Sequence, residues 1–533
     1  MLFVALTAIW LPLLLVVVFR QPARAGMSIS ALAVGLLASV IWQMEPLAIG
    51  ASAIQGVHRA LTIGLILFGA ITLLKTLEST GALERIKLGL HALSQDMRVL
   101  TVIVAFCFIS LIEGISGFGT PSIIAAPLLI VLGFHPLTAA VLALLGDTVA
   151  CTFGAVGTPL IIGLENVPIY SAGLVSSVGA TVTLFDLIIG TLLPLGLVSV
   201  LIFMFGKQTR HQKFIALKEI APWALFIGAV YSVSAFLAVR IIGPEFTSIV
   251  AGAISLIVAA VTAKFGFLIP KNIWRHHANP DITSETVPQD VSHIPIWKAW
   301  LPYVIVILLL LITRSIPAIK EFLSSIFDAG FTNMLGVEGI SSSWPILYSP
   351  GIVLLIGALS ASLLVNRSPK IIGSSTKKAL STTSVALMSL VPTLIMVQIF
   401  INSGHNSSDF VAMPIYIGQA LASAFGDLWL MVAPTLGAIG AFIAGSSTVS
   451  TLTMSPVQYS IAVDTGLPHI SVLALQMIGA AAGNTIAIHN VVSASVVVGL
   501  VHREGLIIRK LIIPTATYLL IACLIGLVVF LII

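Results

Sequence analysis

The side chains able to do chemistry in this 533-residue chain gather at breaks in its apolar runs. The first break, EGISGFGTPS (113–122), sets a carboxylate, three glycines and several hydroxyls between VLTVIVAFCFIS and IIAAPLLIVLGF. GDT (146–148) interrupts the next run, and GSST (445–448) and GNT (483–485) do the same near the C-terminus. Glycine supplies unusual dihedrals and close backbone approach. Ser and Thr supply hydroxyl ligands, and the exposed N–H groups and dipole of a helix start attract anions. Four such breaks converging near a bilayer midplane would form a small-anion site built largely from backbone, which suits a carboxylate better than a cation. The residues expected to bind are Ser116, Gly117, Gly119, Thr120 and Thr148 from the first half, and Ser446, Ser447, Thr448, Asn484, Thr485 and His489 from the second.

Glu113, Asp147 and Asp186 fall inside apolar runs, where ionisable residues are expensive and functional by default. Asp147 stands at a break, opposite neutral Asn484 in the second copy, and is the expected proton carrier. Desolvation favours the neutral form of a carboxyl group, so such a group can take a proton on one side and release it on the other. Glu113 is expected to be a gate or a second proton site. Asp186 is isolated and reads as a hydrogen-bonded structural group, and His135 and His469 read as corner caps. His489 follows GNT and can donate to a carboxylate or a hydroxyl of the ligand.

The elements that must position these groups follow from composition. The chain is 58% hydrophobic and 8% charged, whereas soluble chains carry about a quarter charged residues. Its apolar blocks have the length that spans a bilayer, about 17–25 residues, and lack the alternation of a β-barrel. The class is an all-α polytopic membrane protein with about 12–16 transmembrane helices. The net charge of +5 lies at helix ends and in short loops, so nucleic acid is not an expected partner. The first twenty residues lack a basic n-region and a cleavage site and read as a retained helix. Cys107, Cys151 and Cys523 read as small buried hydrophobes. The RHH stretch (275–277) reads as solvated linker, since it lacks a well-spaced ligand set. No metal or cofactor is expected. No H-E-x-x-H occurs and no acidic dyad is evident, so the chain does not read as an enzyme.

Expected helices cover 2–19, 27–42, 60–74, 100–112, 136–153, 170–184 and 187–205; 222–239 and 247–268; then 297–313, 351–365, 381–401, 411–425, 469–487, 491–501 and 511–533. Placing the six basic loops in the cytoplasm makes a first hairpin (113–134) open from outside and a second (429–461) from the cytoplasm. Each half then holds four helices, a re-entrant hairpin and three helices in opposite orientation, the inverted-repeat pattern of secondary transporters. The divisions are 1–206, with a broken helix at 136–156; 207–296, an inserted helix pair and cytoplasmic loop; and 297–533, with a broken helix at 469–487.

EGISGFGTPSIIAAPLLIVLGFHPLTAAVLALLGDTVACTFGAVGTPL (113–160) resembles the signature region of the bacterial lactate permease family. GNTIAIHNVVSASVVVGL (483–500) and the hydropathy layout extend the resemblance over essentially the whole chain. It implies a proton symporter of the bacterial inner membrane for L-lactate, often also D-lactate and glycolate. It further implies an elevator-type transport domain, as in the ion-transporter superfamily, whose members are commonly homodimers. By that resemblance the hairpin tips are 116–120 and 445–448, and the 2-hydroxyl of a 2-hydroxy monocarboxylate would bond Asn484 or His489. Carboxylate transporters of the superfamily often carry Ser-Asn-Thr at tips that help bind sodium. Here the tips read GFGT and SST without asparagine, which favours protons. The competing reading is a sodium-coupled carrier of carboxylates or other small anions.

Overall fold

The computed structural model describes residues 1–19, 21–117, 119–275, 294–365 and 369–532. His276 and His277 of the expected linker lie outside the described residues. The described residues form helices joined by turns and loops, with isolated bridges such as Phe331 with Ser342 and no strand among them. This is what lipid requires, because an unpaired backbone group in hydrocarbon costs several kcal/mol.

Nine helices among the described residues are long and apolar enough to cross a membrane, fewer than the 12–16 expected. Two misreadings explain much of the gap. The expected spans 170–184 and 187–205 are one helix, Ala172–Phe205. The helix runs through Asp186, whose side chain is buried. Other expected spans are helices too short to cross, such as Thr7–Val16, Pro350–Val365 and Ile488–Val497.

The elements that carry the site are α1 (Pro46–Ser79), α2 (Met97–Ile115), α3 (Thr120–Val131), α4 (Pro136–Gly146), α5 (Gly154–Ile161), α6 (Pro369–Ile401), α7 (Trp429–Ala444), α8 (Ser447–Asp464), α9 (His469–Ile486) and α10 (Ile488–Val497). α2 and α3 form a helical hairpin with its turn at Gly117 and Gly119. The helix expected over 100–112 is its first arm, and α3 folds back against the Thr101–Phe108 stretch of α2. In the second hairpin α7 and α8 are zipped by Trp429 Nε1 donating to Gln458 Oε1 (2.7 Å), Gln458 Nε2 to the Ala433 carbonyl (3.0 Å) and Ser450 Oγ to the Gly437 carbonyl (2.8 Å). After each hairpin comes a broken helix: α4 with the segment Ala150–Ile161, bent by 53°, and α9 with α10.

Apart from the extra 10-residue helix Pro317–Ile326 in the second half, a similar succession of element types runs twice among the described residues. Three apolar helices (2–18, Ala23–Val40 and α1), a short helix (Ala82–Leu93), the first hairpin, a broken helix and Ala172–Phe205 form the first run. Ile296–Ser315, Pro350–Val365, α6, the short Met413–Phe425, the second hairpin, a broken helix and Glu504–Ile532 form the second. Between them, Arg210–Ile241 and Pro244–Phe265 pack into the bundle. A Cβ on Gly114 would lie 2.6 Å from Ile249 N, and one on Gly252 2.5 Å from Leu111 N, so α2 and Pro244–Phe265 touch backbone to backbone.

Packing separates two groups of helices. α1 lies along α6, where a Cβ on Gly56 would be 2.6 Å from Ile395 Cα, and both pack with neighbours from Ala23–Val40 and Pro350–Ser360. The hairpin arms pack instead on α9, on Glu504–Ile532 and on Pro244–Phe265. At the start of α2, Asp96 caps the helix by accepting from Arg98 N (2.8 Å) and pairs with the buried Arg98 guanidinium at 2.6 Å. Arg98 also donates to the carbonyls of Ala216 and Asn272, each at 2.7 Å, which ties the hairpin's start to two other segments.

Candidate functional site

Backbone geometry at the breaks follows from glycine. Gly117 (φ +58°) and Gly119 (φ +74°) turn the first hairpin, and Gly445 (φ +65°) turns the second. These are left-handed conformations that side chains disfavour. Gly119 caps α3, and Ser446 caps α8 by accepting from Val449 N at 3.3 Å. Asp147 closes the C-terminus of α4, and α5 opens with Ala155, Val156 and Gly157 all at positive φ (+45°, +57° and +74°). Two successive non-glycine residues in this region mark stored strain beside the site.

The break expected at GNT falls slightly later. α9 stays helical to Ile486 and breaks at Ala487, so Gly483–Thr485 form its last turn. Gly483 serves another purpose: a Cβ there would lie 2.1 Å from the Ala438 carbonyl of α7. Gly146 does the same against the Ala105 carbonyl of α2, at 1.5 Å. The glycine of each triplet therefore lets the helix end press onto the first arm of its own hairpin.

The breaks meet around a cavity of about 430 Å³. Gly117 and Gly119 line it from the first tip, Ser446, Ser447 and Thr448 from the second, and Asn484 and His489 from α9 and α10. The N-termini of α3, α8 and α10 all lie at this cavity, a concentration of N–H groups and dipole ends that suits an anion. Hydrogen bonds cross between the two halves. Cys151 Sγ donates to Ser447 Oγ (3.3 Å) and Asn484 Nδ2 donates to Cys151 Sγ (3.4 Å), while within the second half Asn490 Nδ2 donates to both Asn484 O and Oδ1 (2.8 Å each). A Cβ on Gly119 would sit 2.9 Å from Asn490 Oδ1, and one on Gly445 would overlap the His489 ring. His489 is half-buried and its ring has no hydrogen-bond partner among the described residues.

Not every expected ligand is there. Thr120 Oγ1 donates back to the Gly117 carbonyl (2.7 Å) and closes the turn. Thr148 and Thr485 bond to the carbonyls of Leu145 and Ala482 and line a separate, mostly aliphatic cavity of about 370 Å³ beside Ile189 and Tyr518. The side chain of Ser116 lies outside the described residues. His135 caps α4 by accepting from Leu137 N (3.3 Å), as expected, whereas His469 makes no cap and meets the Tyr459 ring edge-on at 5.6 Å. Asp186 is buried away from the cavity with Oδ1 unpartnered among the described residues.

Glu113 lines the cavity and Asp147 sits just behind it. One carboxyl oxygen of each, together with Cys151 Sγ, lies within 4.8 Å of the others. This acidic pair was not evident in the sequence, because 33 intervening residues separate its members. Glu113 Oε1 occupies the space a Cβ on Gly154 would need, at 2.0 Å, while Glu113 Oε2 and Asp147 Oδ1 are buried without a hydrogen-bond partner among the described residues.

Three contributors escaped the sequence reading. Cys151, read as a hydrophobe, bridges the second tip and α9. Asn490 holds Asn484 in place. Arg59 lines the cavity from near the middle of α1, which is 34 residues long. The expected helix began at residue 60 and left Arg59 outside. The signal was present: apolar residues flank HR (58–59) on both sides, so the helix had to contain it.

A polar cavity enclosed by broken and half-length helices, within a multi-pass helical membrane protein, defines a membrane transporter. The chain belongs to the L-lactate permease family, whose sequence profile matches residues 2–533. A relative from Haemophilus influenzae is 30% identical over 496 residues, 89% of this chain and 87% of the relative. The L-lactate permease of Bacillus subtilis is 25% identical over 527 residues (92% and 89%), and that of Escherichia coli 26% identical over 517 residues (90% and 86%).

Proposed function

We propose that this protein is a secondary transporter that carries L-lactate, and also D-lactate and glycolate, together with protons across the bacterial inner membrane. One observation carries the reading: both hairpin tips, Asn484 and His489 face one cavity of about 430 Å³ that also exposes Glu113. Membership of the L-lactate permease family supports lactate as the substrate. The substrate carboxylate lies against the tip glycines and Ser446–Thr448, and its 2-hydroxyl reaches Asn484 or His489. Thr120, Thr148 and Thr485 support the breaks instead of touching substrate.

The proton rides on the Glu113–Asp147 pair. Two carboxylates this close and out of water repel unless a proton lies between them. Loading that proton and filling the anion site neutralise each other's charge, which couples the two. The third donor of the cluster is a thiol, a soft group poorly matched to sodium, which takes oxygen ligands.

The doubled succession of elements supports inverted repeats over 1–206 and 297–533, with 207–296 inserted. With the basic loops in the cytoplasm and each hairpin entering and leaving on one side, the first hairpin opens from the cytoplasm and the second from the periplasm. This reverses the sides expected from the hydropathy blocks, because α2 is taken here as a hairpin arm and the 13-residue Met413–Phe425 as too short to cross. The hairpin group moves against the α1–α6 group in an elevator-type cycle, in a homodimer.

The test is radiolabelled L-lactate uptake into proteoliposomes under imposed proton or sodium gradients, competed with D-lactate, glycolate, pyruvate and acetate. Accumulation driven by the proton gradient alone is expected. Accumulation driven by sodium at zero pH gradient would replace the proton reading with sodium coupling.

A further inference from the structure

Arg59 has no place in the scheme so far, yet its environment is unusual. It lies near the middle of α1 and lines the same cavity as Gly119, Ser446 and His489. It is half-buried, and among the described residues no hydrogen bond or ion pair engages its side chain. Glu113 lines the same cavity but does not pair with it. A guanidinium held at membrane depth without a counter-charge is costly and marks a ligand pathway.

Its helix is also fixed. The neighbouring His58 is locked on both ring nitrogens, to Ser342 Oγ and the Ala329 carbonyl at 2.9 Å each, between the rings of Phe331 and Trp344. Gln55 donates to the Ser341 carbonyl (2.7 Å) and accepts from Asn402 (2.8 Å). Arg59 thus projects from a braced wall, on the α1–α6 side, toward the tips on the other.

We propose that Arg59 is the fixed cation that selects an ionised carboxylate from the wall opposite the hairpin tips. The proposal rests on the anion-transport reading given above. The tips offer N–H and hydroxyl donors, whose partial charges favour a carboxylate over a neutral amide only in part. Arg59 supplies the full charge that separates the two, and its planar fork suits both carboxylate oxygens. Because Arg59 and the tips belong to different packing groups, its contact with the substrate is confined to the states in which those groups face each other. Arg59 therefore acts on capture and release of the anion.

The experiment compares wild type, Arg59→Lys and Arg59→Gln in proteoliposomes. It measures the half-saturation concentration for L-lactate and the inhibition constants of L-lactate and its neutral isostere lactamide. Wild-type uptake of lactate tests the transport reading by itself. Given that uptake, Arg59→Gln is expected to raise the half-saturation concentration at least about tenfold and to shrink the preference for lactate over lactamide by a similar factor, the size of one lost charge-assisted hydrogen bond of about 1.5–3 kcal/mol. Arg59→Lys keeps the charge and loses the fork, and falls between. A merely structural role would lower the maximal rate or the folded yield with the lactate-to-lactamide preference intact. Unchanged preference in Arg59→Gln overturns the proposal. Should Arg59→Gln fail to fold, unchanged half-saturation and preference in Arg59→Lys overturns it.

Discussion

Glu113 and Asp147 come from two different helix breaks, yet their carboxyl oxygens lie within 4.8 Å of each other and of Cys151 Sγ. The contact is made possible by two glycines. Gly146 lets the end of α4 press onto the backbone of α2, and Gly154 leaves the space that Glu113 Oε1 fills. On the proton-symport reading proposed above, this acid pair at the edge of the cavity carries the proton that travels with the anion.

Asp147→Asn is expected to abolish proton-driven accumulation of lactate while leaving counterflow exchange. Exchange needs the anion site and alternating access, and accumulation also needs a titrating group. Glu113→Gln should show the same split, and the double variant should be no worse than the more severe single one, because the two carboxyls act as one unit. Accumulation that survives in proteoliposomes containing Asp147→Asn would remove the pair from the coupling mechanism.

Gly154→Ala probes the space around Glu113. The backbone there (φ −66°, ψ 160°) is open to alanine, so the effect comes from the side chain alone. A methyl group 2.0 Å from Glu113 Oε1 must displace the carboxyl. Overpacking of this kind costs about 1–3 kcal/mol, read as a lower thermal midpoint in detergent together with loss of proton-driven uptake. Adding Glu113→Ala should restore the midpoint but not the uptake. A double variant as unstable as Gly154→Ala would place the clash elsewhere.

Much of this site was legible from residue types. The tips at Gly117–Gly119 and Gly445–Ser446 announced themselves as glycine and hydroxyl groups inside apolar runs. The exact break of α9 did not, because Gly483 reads the same whether it bends a helix or lets one press on Ala438. The split between the expected spans 170–184 and 187–205 has no counterpart in the single helix Ala172–Phe205, because hydropathy counts the Asp186 charge without knowing that it is buried. The Glu113–Asp147 pair and the place of Arg59 depend on how distant helices pack, which one-dimensional spacing does not encode. Merging 100–112 into the hairpin followed only from α3 lying back along α2.

Arg98→Ala should separate stability from transport. Arg98 and Asp96 are both buried, and the guanidinium makes several hydrogen bonds. Removing it leaves the Asp96 carboxylate without its cation, which typically costs about 3–5 kcal/mol. The folded yield and thermal midpoint should fall, and the half-saturation concentration of the surviving protein should stay within about twofold, a shift of under 0.5 kcal/mol. A large change in lactate affinity would connect this clamp to the cavity.

Cys151 gives a reporter for the cavity itself. Its Sγ bridges Ser447 on the second tip and Asn484 on α9, while Cys107 and Cys523 do not line the cavity. A methylthio group added there breaks both hydrogen bonds and takes up room in a space of about 430 Å³. Small neutral methanethiosulfonate reagents should therefore block lactate uptake, and bound lactate should slow the block by covering the thiol. Cys151→Ala loses two weak sulfur hydrogen bonds and should keep most of its transport while becoming insensitive to the reagent. Cys107→Ala and Cys523→Ala should remain sensitive. Uptake assays after timed labelling decide the point: a Cys151→Ala variant blocked as fast as wild type, or a rate of block indifferent to lactate, would move the transport cavity away from the second tip.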